Sequence, residues 1–284
     1  MMSKDNKFMK FYKSISAILY YIVATNFASG PVAVVAIAQS IHHIMEDGDM
    51  EAYMESCMDF IIQYSIFSTF LGALIIIPGM LYMMRDDFKR GYNWHEVKNI
   101  KYITPILVAI TIAIGIFYSI GGNILLALSR IGNIFTGYEQ TGELFASIPP
   151  VLQVIVLCIT VPIAEELIFR GVVFRRIRKY INPVAGIWLS ALAFAIFHGN
   201  VVQFVYTLPM GLLLALIYEK TRSVLWPIII HIVANSASVF ILDASWFISW
   251  LENGIALVVI TVVSVAVVIA STIYLIKIKP VVEE

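Results

Sequence analysis

From Val151 to Phe174 the chain reads VLQVIVLCITVPIAEELIFRGVVF, a run long enough to cross a bilayer, with two adjacent carboxylates inside it. About 20 helical residues span the ~30 Å of hydrocarbon in a membrane. In that medium each backbone N–H and C=O must find its partner within the protein, so uniformly apolar runs of this length fold as helices. Comparable runs occupy 15–39, 60–84, 102–128, 148–174, 184–200, 203–219, 224–242 and 254–276. The fold class expected is therefore all-α, a polytopic membrane protein of about eight transmembrane helices. Composition agrees: 60% of the residues are hydrophobic, 13% are charged and the mean hydropathy is +0.87, values that a hydrated surface on a soluble domain does not allow.

Charge sets the expected orientation. With the N-terminus inside, 18 of the 19 Lys and Arg residues fall on the cytoplasmic side and Arg130 alone falls outside. Both termini are then cytoplasmic. The formal net charge is zero, which leaves no global basic surface for nucleic acid. The Ala36-Ile37-Ala38 sequence after an apolar stretch resembles a signal-peptide cleavage site, but that stretch is longer than a signal core, and a retained first helix is the preferred reading. Connecting segments are short and no repeat is visible, so residues 1–284 are read as a single integral membrane domain.

Several features receive bland readings. The stretch from Gln39 to Asp59 carries Glu46, Asp47, Asp49, Glu51, Glu55 and Asp59 and no cation, as expected of a solubilised outer loop. His42, His43 and His95 are read as solvated loop residues. Cys57 and Cys158 are too far apart along the membrane normal for a disulfide or a CxxC metal site.

The carboxylates are harder to dismiss. An acidic group at bilayer depth costs roughly 2.5 to 3.5 kcal/mol on insertion scales, so intramembrane acids mark functional sites by default. Glu166 and Arg170 stand at i,i+4, where a helix permits an ion pair, and Glu165 lies about 100° around the helix from Glu166, poorly placed for the same Arg. Two further runs contribute FAIFH, ending at His198, and HIVAN, which holds His231 and Asn235 at i,i+4. Helix rise places Glu165, His198, His231 and Asn235 in a slab about 12 Å thick. The structural reading of His231 and Asn235 alone is interhelical hydrogen bonding.

The three motifs together resemble those of the CPBP family, the CAAX proteases and bacteriocin-processing enzymes: EELIFR corresponds to EExxxR, FAIFH to FxxxH and HIVAN to HxxxN. The resemblance covers roughly 151–240, read as the catalytic core. It implies an eight-helix intramembrane endopeptidase acting on membrane-associated or secreted peptides reached from membrane or cytoplasm, in a bacterial cell membrane. On this reading Glu165 activates water, His198 shares it and shuttles the proton, and His231 and Asn235 donate hydrogen bonds to the oxyanion, with Glu166 and Arg170 supporting the site. No cofactor is favoured; zinc held by Glu165, His198 and His231 is the open alternative, although the chain lacks HExxH. Pro162, three residues ahead of Glu165, is expected to disturb the helix there. A non-catalytic bacteriocin-immunity or scaffold protein, or a proton-coupled carrier, is the competing class.

The orientation is testable directly. Cysteine accessibility in intact cells should report residues 85–101 and 170–182 as cytoplasmic and 40–59 as external; an external 85–101 segment would overturn the helix assignment.

Overall fold

The computed structural model describes residues 7–47, 50–89, 104–131, 148–242, 247, 249–250 and 252–277. Among these residues the structure is helical throughout, with eight helices and no strand. They are α1 (Lys7–Asp47), α2 (Met50–Lys89), α3 (Pro105–Ser129), α4 (Pro150–Tyr180), α5 (Pro183–Ile196), α6 (Val201–Thr221), α7 (Leu225–Ala237, continued by a π-helical turn Ser238–Leu242) and α8 (Gly254–Lys277). All the expected runs are helical, but their lengths differ from expectation in two ways.

First, α1 and α2 are 41 and 40 residues long, so helix replaces loop across most of the acidic 39–59 stretch. The apolar window that bounded the expected spans cannot see a helix that continues into polar residues. The side chains of His42, His43, Cys57 and the acids from Glu46 to Asp59 lie outside the described residues, as does all of His95.

Second, six helices are long and apolar enough to cross a membrane, and α5 and α7 are not among them. With 14 residues α5 reaches about 21 Å, short of the hydrocarbon thickness. Its limits are local. Asn182 caps the N-terminus through its side chain, with Pro183 at the first helical position. At the other end Gly199 takes φ +80°, and Asn200 caps α6 through the Gln203 N–H. The expected span 184–200 thus ends early, and His198 sits in the turn between α5 and α6, outside either helix.

Pairing of α1 with α2, of α3 with α7 and α8, and of α5 with α6 builds the bundle around α4. Large apolar side chains on α1 and α8, such as Phe27, Val23, Ile255 and Val262, remain exposed, as suits a lipid-facing surface. At one end of α4 the buried Arg176 grips Asp87 of α2 with two bonds of 2.8 and 3.1 Å. The same guanidinium donates to the Lys13 carbonyl and the Ser16 hydroxyl of α1, both at 2.6 Å. One side chain therefore ties both N-terminal helices to α4. Replacing Asp87 with Ala leaves that cation unpaired in the interior and should destabilise the protein by about 3 to 5 kcal/mol. Thermal unfolding in detergent checks this, with Arg176→Met/Asp87→Leu expected to recover much of the loss.

Candidate active site

The helix carrying the two glutamates is irregular. Within α4, Gln153–Thr160 and Leu167–Phe174 are π-helical and flank the α-helical segment Val161–Glu166. In the first stretch the Val161 N–H bonds to the Val156 carbonyl, five residues back, and the Thr160 hydroxyl bonds to the Ile155 carbonyl at 2.6 Å. Wide turns of this kind recur at functional sites. The disturbance expected at Pro162 takes this form.

Glu166 and Arg170 form the ion pair that their spacing permits, at 2.9 Å and with both side chains fully buried. Arg170 also donates to the Gly211 carbonyl of α6 at 3.0 Å, and its guanidinium lies 4.5 Å above the centre of the Phe194 ring of α5. Close approach of α5 and α6 makes this reach possible: a Cβ on Gly211 would come within 3.1 Å of Ala191 and 3.2 Å of Phe194. Glu166 Oε1 accepts a second contact, from Nδ1 of His231 on α7 at 2.9 Å. A carboxylate held by an arginine only accepts hydrogen bonds, so Nδ1 of His231 carries the proton and Nε2 is left for other work. That Nε2 lies 3.7 Å from Glu165 Oε2.

Glu165 occupies a different setting from its neighbour. Its side chain is 18% exposed, and it lines a cavity of about 190 Å³ between α1, α2 and α4, shared with Tyr21, Thr25, Ser29, Ser68 and Thr69. One carboxylate is thus locked and dry, and the other faces a chamber with hydroxyl-bearing walls.

His198 faces the same aromatic ring that supports Arg170. Its ring meets Phe194 at 4.7 Å, and Phe194 meets the His231 ring at 5.6 Å, both edge-on. Nδ1 of His198 lies 2.8 Å from the Phe194 carbonyl, which only accepts, so this histidine too holds its proton on Nδ1. Asn235, one turn beyond His231, uses its side-chain amide to donate to the Leu157 carbonyl of α4 at 2.8 Å.

The four catalytic candidates are therefore placed unequally. Glu165 and His231 face each other, Glu166 and Arg170 brace His231, His198 joins through Phe194, and Asn235 is engaged with backbone. Phe194 and the Gly211 carbonyl, which hold the site together, were not singled out as site residues from sequence; the Phe of FAIFH was the only available signal for the first. Both histidines present a free Nε2, the chemistry a zinc ligand needs, yet among the described residues no three His, Cys, Asp or Glu side chains gather closely enough to hold a metal ion. Glu165, His198 and His231 do not form such a set in this geometry.

Residues 146–237, which hold all three motifs, match the family model described as Type II CAAX prenyl endopeptidase Rce1-like. Over this segment the chain is similar to that family. The Rce1-like segment contains α4 to α7 and every residue of the cluster around Glu166. The chain is also similar to the "Putative membrane peptidase YdiL" of Bacillus subtilis (strain 168), 27% identical over 117 residues, covering 41% of this chain and 47% of that protein. The match thus spans about half the length of that relative. No solved structure matches the chain. The six long apolar helices among the described residues, with the likeness to a membrane peptidase family, identify an integral membrane protein.

The contrast between the two glutamates yields a stability prediction. Glu166→Gln leaves the buried Arg170 without its counter-charge and should cost about 3 to 5 kcal/mol, whereas Glu165→Gln, beside an open cavity, should cost far less. Thermal unfolding of both variants in one detergent decides it; equal losses would refute the division of labour.

Proposed function

We propose that this protein is an intramembrane endopeptidase that hydrolyses peptide bonds of membrane-associated or secreted peptides, with 151–240 as its catalytic core. The observation that supports this reading is the placement of His231 between a buried, arginine-paired Glu166 and a cavity-lining Glu165, inside the Rce1-like segment. The relative from a Bacillus points to a bacterial cell membrane, and the charge distribution to cytoplasmic termini.

The proposed chemistry is acid–base hydrolysis. Glu165 takes a proton from water in the cavity, and the hydroxide oxygen attacks the scissile carbonyl carbon. Glu165 passes that proton on to the bare Nε2 of His231, which then donates to the oxyanion while the re-ionised Glu165 and Glu166 offset its charge. The tetrahedral centre then collapses, the C–N bond breaks, and the same proton passes from His231 by way of Nε2 of His198 to the leaving amine, which leaves both histidines as they began. No step is routed through a metal.

Wild type in liposomes should cut a panel of membrane-associated and leader peptides, read by mass spectrometry, and Glu165→Gln should abolish cutting while preserving expression and unfolding temperature. Removing the His231 donor should lower turnover by roughly 10²- to 10³-fold, the size seen for a lost oxyanion donor. Full turnover by Glu165→Gln would refute the assignment of the base. Stoichiometric zinc in the wild type, lost in both His198→Ala and His231→Ala and restored with activity by added zinc, would refute the metal-free chemistry. A carrier or immunity protein would show no peptide fragments in any variant.

A further inference from the structure

The backbone of α4 contains a carbonyl that its own helix does not satisfy. In a helix the Leu157 oxygen has two natural donors, the N–H four residues on in an α turn and the N–H five residues on in a π turn. The first belongs to Val161, which has shifted to Val156 as part of the π-helical stretch. The second would belong to Pro162, which has no N–H. Proline and the wide turn together therefore orphan Leu157. The side-chain amide of Asn235 fills the gap, donating to that oxygen at 2.8 Å from the neighbouring helix.

Such a bond matters more here than on a soluble surface. Within a membrane helix a carbonyl that loses its donor finds little water to replace it, so the gap in α4 and the amide of α7 select each other. Asn235 stands one helical turn from His231, on the same side of α7. The register that seats its amide on Leu157 thus also sets how far Nε2 of His231 stands from Glu165, the 3.7 Å gap across which the proposed chemistry runs.

We propose that Asn235 is a positioning residue: its amide caps the carbonyl that Pro162 and the π turn leave open, and this bond fixes the depth and rotation of α7 and so aims His231. The kinetic part of this inference rests on the peptidase reading above. The structural part does not. Pro162 enters as the cause of the vacancy, and its replacement offers a specific rescue, because Ala at 162 returns an N–H to the place where Leu157 lacks one.

The test is a double-mutant cycle of wild type, Pro162→Ala, Asn235→Ala and the double variant. Each protein is measured for unfolding temperature in detergent and for kcat and KM on a cleaved peptide. In the wild-type background Asn235→Ala should lower the unfolding temperature and reduce kcat by about 10²-fold with KM little changed, the cost of misplacing a reacting group by roughly 1 Å. In the Pro162→Ala background the same substitution should cost less than about tenfold in kcat and little in unfolding temperature, since the two sites share one acceptor. Asn235→Leu, an apolar near-isostere, replaces Asn235→Ala throughout if the latter does not accumulate.

An equal loss of kcat in both backgrounds, with no coupling in unfolding temperature, would overturn the inference and return Asn235 to direct contact with the reacting atoms. Coupling in unfolding temperature without any peptide cleavage by wild type would support the bond and refute the peptidase reading instead.

Discussion

A carboxylate with no exposed surface organises this molecule. Glu166 lies in the middle of a membrane helix and is fully buried, a placement that would be prohibitive without an opposite charge at hydrogen-bond distance. Arg170 supplies that charge, and the arginine then needs partners of its own, which it takes from the Gly211 carbonyl and the face of Phe194. Glu166 in turn holds His231 by Nδ1. These few contacts connect α4, α5, α6 and α7, so the polar cluster and the packing of the core cannot be varied independently. Gly211 illustrates the constraint, because its missing side chain lets α5 and α6 approach while its carbonyl reaches the arginine.

The second constraint is the irregular backbone of α4. A π-helical stretch ending beside a proline is expensive in a membrane unless each freed carbonyl is claimed from within the protein. Leu157 is claimed by Asn235. Between the two π-helical stretches Glu165 lies on the cavity side between α1, α2 and α4, while Glu166, about 100° further around the helix, faces the arginine. Two chemically identical residues acquire different environments, and the proposed base is the one with access to a chamber.

Much of this was legible in the sequence because the signals are local. Runs of apolar residues gave the helices, and i,i+4 spacing gave the Glu166–Arg170 pair. What was missed depends on neighbours or on turns that composition cannot distinguish. The length of α1 and α2 was underread because their polar ends carry no hydropathy signal. The end of α5 was overrun because His198, Gly199 and Asn200 follow a strongly apolar helix, and only the positive φ of Gly199 shows that the chain turns there. The π-helical turns are invisible in a segment where nearly every position is apolar, since no periodicity separates five-residue from four-residue bonding. For the same reason the acceptor of Asn235, a backbone oxygen 78 residues away, could not be read from the sequence.

Glu166 fixes the proton of His231 on Nδ1 and thereby turns Nε2 toward Glu165. Nitrogen-15 NMR of histidine-labelled protein in lipid, with the His231 signals assigned by comparison with His231→Gln, observes this directly. The account predicts a resting His231 protonated at Nδ1 with an unprotonated Nε2, and loss of that tautomer preference in Glu166→Gln. A resting His231 protonated at Nε2 alone, with a bare Nδ1 facing Glu166, would contradict it.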